Sequence, residues 1–322
     1  MSLKEQVLRI LTERRGEAVS GQWLADQFHV SRAAVWKVIR ALKEDGHFIQ
    51  AGQNRGYTLL PNSDVLSVTA IAPLLLPPLR SELLTIVSQC SCTNDLARQL
   101  AIQSAPAGSS VLADTQTNGR GRQRRSFYSP PGGLYLSMLL RPSLSMQEST
   151  FLTIAAAVAV CRAVKKICNI PLEIKWVNDL FLNGKKVGGI LTEAVTDLEG
   201  GTFEYVIVGI GLNIFFREAI PNELAPIVTS LYDTEPDGGI RCQLTAAILN
   251  ELYQLEQNPS SSLKEYQALN FVPGKTIQII SGIRTGIAKA LSITEQGQLL
   301  VEYPDQTQIP LNSGEIQIMD IV

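Results

Sequence analysis

The apolar residues of this chain change their spacing twice, and no single packed layer satisfies all three spacings. Leu3, Val7, Leu8 and Leu11 recur at helical intervals. Trp23, Leu24 and Phe28 do so after Ser20, and Val35, Val38, Ile39 and Leu42 after Ser31, so the two serines are placed to cap a second and a third helix. FIQAGQNRGYTLL, with turn formers Gly52 and Asn54, then predicts a hairpin that projects Arg55. Beyond Pro61 and an IAPLLLPPL segment, the middle of the chain mixes periods. Strands are predicted over 108–113, 133–141, 172–176, 180–182, 186–193 and 205–212, and an Ala-rich helix over 150–167. From Phe271 onward short alternating runs are broken by Gly274, Gly282, Gly297 and Gly314, which suits a small SH3-like β barrel. The expectation is an α+β protein divided at 1–62, 63–270 and 271–322.

A length of 322 residues is too much for one small core, and 45% hydrophobic with 18% charged residues excludes a disordered chain. The net charge of -2 excludes a protein that coats nucleic acid throughout. Up to Leu60, however, nine Lys or Arg stand against six Asp or Glu, leaving a local +3. Arg32, Trp36, Lys37, Arg40 and Lys43 fall on the outer face of the third helix, and Arg55 on the hairpin tip. That pattern points to a winged helix-turn-helix that meets DNA phosphates. Trp36 is placed either for the DNA face or for packing under a neighbouring element.

Five cysteines without metal spacing imply a reduced, cytoplasmic protein without disulfides. The apolar run 151–161 ends at Arg162, short of the roughly 20 residues of a membrane span. Lys4, Glu5 and Arg9 interrupt any signal-peptide core. Only His29 and His47 occur, both near the start, which disfavours a Ser-His-Asp hydrolase.

Two segments carry candidate chemistry. GRGRQRRSFYSPPGG, from Gly119, places four arginines among glycines and prolines between two predicted strands. Such a loop is poor core material and is expected to be ordered by an anion, since Arg suits bidentate contact to phosphate or carboxylate. A solvated loop or a second nucleic-acid patch are the alternatives. KWVNDLFLNGKKVGGILTE predicts a hairpin with a type I′ turn at Asn183-Gly184, carrying an acid and a lysine on one face, and Gly188 and Gly189 permit close approach. Gly184-Lys185 lacks the upstream framework of a P-loop, and VGIGLNI lacks the third glycine of a dinucleotide fingerprint.

Four motifs in order, CTND (Cys92 to Asp95), QTNGRGRQRRSFYS (Gln116 to Ser129), KWVND with GKKVGGIL (Lys175 to Leu191) and GIGLNI (Gly209 to Ile214), make the chain resemble the biotin–protein ligases, specifically the bifunctional type that also represses the biotin operon. The resemblance implies a central mixed-sheet, class II synthetase-like domain that uses Mg-ATP to make biotinyl-5′-adenylate and passes biotin to a lysine of a biotin carboxyl carrier protein. It implies Cys92, Thr93 and Gln116 at the biotin ureido end, Gly119 and Phe127 beside its ring, and Asn94, Arg120 and Lys186 as further biotin contacts. Arg120 and Arg122 would close over the adenylate, with Arg125 a further phosphate contact. Lys186 would stabilise charge on carboxylate and α-phosphate, Asp179 would act through Mg²⁺, Asn178 and Asp179 would bind the nucleotide, and Asn213 would read adenine. It further implies operator DNA as a partner and a ligand-promoted homodimer, without a membrane. Arg124 stands where the family has Gly, Phe127 for Trp, Val177 for Pro and Cys92 for Ser. A lipoate or octanoyl ligase and a non-catalytic biotin-sensing repressor are the alternatives.

Overall fold

The structure is a computed structural model that describes residues 2–52, 56–142, 144, 148–197 and 202–319. Helix α1 (Leu3–Glu13) opens on a capping box between Ser2 and Glu5. Helices α2 (Gly21–Gln27) and α3 (Arg32–Glu44) open on Ser20 and Ser31, whose hydroxyls accept from the amides of Trp23 at 3.3 Å and Ala34 at 3.2 Å. Each such cap contributes about 1 kcal/mol. Val7, Leu11, Leu24, Val35, Ile39 and Leu42 form a core closed by Ile49 and Leu59 of an antiparallel hairpin, β1 (Ile49–Gly52) and β2 (Gly56–Leu59). Val19 exchanges both backbone bonds with Tyr57 and adds a third rung. At Gly56, φ +94°, a Cβ would lie 2.1 Å from the Val19 carbonyl, so only glycine fits.

The middle of the chain runs α4 (Val68–Ile71), β3 (Leu84–Cys90), α5 (Thr93–Ile102), β4 (Ser110–Gln116), β5 (Leu134–Leu140), α6 (Ser149–Cys168), β6 (Glu173–Lys175), β7 (Asp179–Leu182), β8 (Lys185–Asp197), β9 (Thr202–Leu212), α7 (Ile240–Glu256) and α8 (Leu263–Leu269). Its seven strands form one mixed sheet in the order β3-β4-β5-β9-β8-β7-β6, in which only β3 and β4 are parallel, joined by the α5 crossover. The two faces follow from alternation. Leu134, Leu136, Met138 and Leu140 of β5 and Val206, Val208, Ile210 and Leu212 of β9 share a core with α6 and α7. Leu139, Tyr205 and Ile207 face the other way, under Ala97 and Ala101 of α5. The alanines of α6 are fully buried, and their small side chains let the helix lie close to both sheet and α7.

The tail supplies β10 (Thr276–Ser281), β11 (Gly286–Ile293), β12 (Leu299–Glu302), β13 (Gln308–Leu311) and β14 (Glu315–Ile318), an antiparallel sheet of SH3-like type in the order β13-β12-β11-β10-β14. Its buried Ile277, Ala290, Leu299 and Val301 are continuous with the central core.

Between the N-terminal module and the sheet the chain is clamped by two arginines. Arg241, at the start of α7, bonds Asp64 Oδ2 at 3.0 Å and Asp114 Oδ1 at 2.7 Å, and its side chain is 4% exposed. Arg15 donates to the carbonyls of Leu60, Pro61 and Ser63. Among the described residues no helix is long and apolar enough to cross a membrane. All five cysteines are free.

Candidate active site

The row Tyr205, Ile207, Gly209, Gly211 runs along one face of β9, and where it reaches glycine the side chains vanish and a cleft of about 860 Å³ opens. That is the size of a small-molecule site. A Cβ at Gly209 would stand 2.2 Å from Asn94 Oδ1, and one at Gly211 2.5 Å from the Phe127 ring. The floor is therefore glycine because its neighbours already occupy the space.

At one end of the cleft, Cys92 is the N-cap residue of α5 and lines the wall, without a side-chain capping bond. Gln116 Oε1 accepts from the Thr93 amide at 2.8 Å and hydroxyl at 3.2 Å, while Gln116 Nε2 donates to Ser129 Oγ at 2.9 Å. Buried Ser137 bridges Thr93 Oγ1 and Asn94 Oδ1 at 2.7 and 2.6 Å, and Asn94 Nδ2 donates to Glu193 at 2.6 Å. This end presents fixed donors and acceptors suited to a neutral polar group.

At the other end the β7–β8 hairpin turns at Asn183 (φ +51°) and Gly184 (φ +77°), both left-handed as a type I′ turn requires. It brings Lys186 Nζ to 2.6 Å from Asp179 Oδ1, the pairing expected from sequence. The Lys186 ammonium also lies 6.0 Å from the Phe127 ring, whose edge meets Tyr135. Lys175 lines the same end, its pKa lowered by burial and partly restored by Asp179. Asn178 Nδ2 donates to the Ile190 carbonyl at 2.7 Å. Asn213, which lines the cleft, donates to the Thr229 carbonyl at 2.9 Å, and among the described residues its buried Oδ1 has no partner.

The arginine loop spans the two ends. Gly121 N donates to Arg125 O and Phe127 N to Gly119 O, each at 2.8 Å, closing it into a turn. The anions that meet the loop here are the protein's own carboxylates, with one amide oxygen beside them. Arg120 pairs with Asp95, Arg122 with Asn178 at 3.4 Å and Arg125 with Glu315 of β14. Gln123 reaches Ser281 of β10 at 2.9 Å. The Asp95 hydrogen bond raises the Arg120 pKa, whereas burial lowers that of Arg122 against the opposing pull of Asp179. A Cβ at Gly119 would stand 2.5 Å from Ser129 Oγ, so the turn cannot tolerate a side chain there. Arg124 has φ +60° and Gln123 φ +54°, so the residue in place of the family's glycine does sit in the left-handed region and carries its strain.

The cleft thus gathers Cys92, Thr93, Asn94, Gln116, Arg120, Arg122, Arg125, Phe127, Asn178, Asp179, Lys186 and Asn213 on its lining, with Gly119 at the loop base. Lys175, Glu193 and Glu315 were not singled out from sequence. Lys175 stands in the KWVND motif and was the one most open to detection.

On the N-terminal module Arg32, Lys37 and Arg40 are exposed on α3, as expected. Trp36 is 53% exposed beside the Arg40 guanidinium rather than packed under another element. Arg40 is also paired with Glu44 at 2.9 Å. Arg55 lies outside the described residues.

Residues 86–213 match the model of the biotin/lipoate A/B protein ligase family, and residues 4–58 match a helix-turn-helix domain. The chain is 33% identical over 315 residues to the bifunctional ligase/repressor BirA of Bacillus subtilis strain 168, covering 94% of each chain. It is 26% identical over 312 residues to that of Escherichia coli K12, with the same 94% coverage of both. Among solved structures, the biotin protein ligase of Aquifex aeolicus in complex with biotin and ATP superimposes with a TM-score of 0.60 at 26% identity, covering 73% of this chain and 97% of that one.

Proposed function

Because this chain belongs to the family of bifunctional biotin ligase/repressors, we propose that it activates biotin with ATP to biotinyl-5′-adenylate, transfers the biotinyl group to a lysine of a biotin carboxyl carrier protein, and uses the adenylate as corepressor at operator DNA. The observation that carries this is one cleft with a neutral polar end, the Thr93–Gln116 pair, and a cationic end, Lys186 with the arginine loop, on opposite sides of a glycine floor. Biotin has that polarity: a neutral ureido ring and an anionic tail.

In the first step a carboxylate oxygen bonds the α-phosphorus of ATP, and the bond to pyrophosphate breaks. Two anions converge, so cationic groups aimed at the developing charge are the main requirement. Lys186, held by Asp179 at 2.6 Å, faces the joining carboxylate and phosphate. Arg120 and Arg122 close over biotin and the adenylate, and Arg125 with Lys175 receives the leaving pyrophosphate end. Asn213, on the cleft lining, reads the adenine. In the second step the carrier lysine attacks the acyl carbon and AMP leaves. Asp179 is the carboxylate that would hold a Mg²⁺ accompanying the nucleotide, which would neutralise phosphate charge.

The division at 1–62, 63–270 and 271–322 assigns DNA contact to the first part, through Arg32, Trp36, Lys37, Arg40 and Arg55, and catalysis to the second, in the cytoplasm. A module of net +3 makes few phosphate contacts, so tight operator binding calls for two copies on a two-fold site. Adenylate competes with Asn178 and Glu315 for Arg122 and Arg125, and the rearranged loop promotes the homodimer. The experiment incubates the protein with ATP, Mg²⁺, a carrier domain and either biotin or lipoate, and follows the carrier by mass. Biotinylation is expected, and an unmodified carrier or lipoylation overturns the reading.

A further inference from the structure

The polar contacts at the biotin end form a closed circuit. Arg120 pairs with Asp95, which also accepts from Arg98 Nη1 at 3.2 Å. Arg98 Nη2 continues to Glu193 Oε1 at 2.9 Å, and Glu193 Oε2 accepts from Asn94. Ser137 then joins Asn94 to Thr93, Thr93 joins Gln116, and Gln116 joins Ser129. Ser129 Oγ donates to the Phe127 carbonyl, and the Phe127 amide returns to Gly119, the residue before Arg120.

Two features separate this circuit from an ordinary surface ion pair. First, it alternates two guanidiniums with two carboxylates, so it is neutral as a unit and each carboxylate oxygen named is bonded. Second, Asp95, Arg120 and Glu193 are each less than a third exposed. Arg98 and Asp95 stand one turn apart on α5, and Glu193 stands on β8, the strand that also carries Lys186. The far end of the circuit is therefore built on regular structure, and only Arg120 belongs to a loop.

We propose that Asp95 is the positioning residue for Arg120, with Arg98 and Glu193 as its support, and that this four-residue chain sets how firmly the loop closes on biotin. The inference rests on the biotin-ligase reading. Asp95 is not part of the cleft lining and reaches it by its bond to Arg120, so it acts through Arg120. Removing its charge frees the guanidinium without removing it. The loss then falls on the retention of biotin and its adenylate, not on the chemical step, whose charge is met at Lys186.

The test measures KM for biotin, kcat for adenylate formation and adenylate dissociation in Asp95→Asn, Arg120→Gln and the double variant, with thermal midpoints as control. Asp95→Asn should raise KM for biotin and the adenylate off-rate by about tenfold, the scale of one charge-assisted hydrogen bond, with kcat within about twofold. The double variant should be no worse than Arg120→Gln alone, because the two residues form one unit. Asp95→Glu, which restores the charge, should recover part of the loss. Additive effects, or an unchanged KM and off-rate in Asp95→Asn, overturn the assignment. If a lowered melting midpoint accompanies Asp95→Asn, the cycle still decides, since a merely structural loss adds to that of Arg120→Gln. A parent protein that makes no biotinyl-adenylate overturns the functional reading itself.

Discussion

Lys186 gains its place from a two-residue turn. Asn183 and Gly184 set the register in which Leu182 faces Lys185 and Phe181 faces Lys186, and the ammonium meets Asp179 across the hairpin. Its charge is needed most where carboxylate and phosphate converge. Lys186→Ala should therefore lower the rate of adenylate formation by at least about 100-fold, the cost of removing one preorganised electrostatic group, while biotin still binds. Pyrophosphate exchange together with biotin titration separates the two effects. A variant within a few-fold of the parent in exchange would remove Lys186 from the chemistry.

At the scale of elements, β9 does two jobs through its alternation: Val206, Val208, Ile210 and Leu212 build core while Gly209 and Gly211 open the cleft. Gly209→Ala puts a methyl 2.2 Å from Asn94 Oδ1, within the circuit that holds the biotin end. The expected outcome is a KM for biotin raised by at least about tenfold, on the scale of 1–3 kcal/mol for overpacking, with far-UV circular dichroism unchanged. An unaltered KM would show that Asn94 yields freely. How far these elements were legible depends on whether their signal is local. The serine caps of α2 and α3, the β7–β8 turn and the alternating runs of the tail are written in neighbouring residues, and the structure has caps, turn and β-strands there. Strand β3 was not read, because at the sheet edge none of its residues is fully buried and its apolar alternation is blurred. Helix α7 was missed because it is buried on most of its circumference and lacks an amphipathic stripe. Likewise Arg120, Arg122 and Arg125 stood out as a cluster, but Asp95, Asn178 and Glu315, which hold them, come from three distant elements. Nothing in one sequence marks such pairs.

The whole molecule joins a small helical module to a large sheet through buried polar groups, and these make its stability depend on pH. His47 lies buried after α3, and desolvation lowers its pKa from 6.5 to about 4, with Asp45 opposing and Arg15 and Lys4 reinforcing the shift. The folded value lies below the unfolded one, so below about pH 6.5 the unfolded chain takes the proton first. Stability is complete above that pH and falls until about pH 4, by about 3 kcal/mol for this group alone. Urea midpoints across pH 4–7.5 should drop less steeply in His47→Gln than in the parent, and parallel curves would assign the loss to other groups. The clamp of Arg241 on Asp64 and Asp114 bears on a different matter, where the two halves can be severed. A ligase fragment that starts at Pro61 keeps Asp64 beside the guanidinium, whereas one that starts at Leu66 leaves Arg241 buried with Asp114 as its remaining carboxylate partner. Breaking a buried pair costs about 3–5 kcal/mol, so the shorter fragment should unfold at markedly lower urea. A protease nick on the C-terminal side of Asp64 would have the same effect, and the few residues that look like tether are in that sense the keystone of the catalytic half.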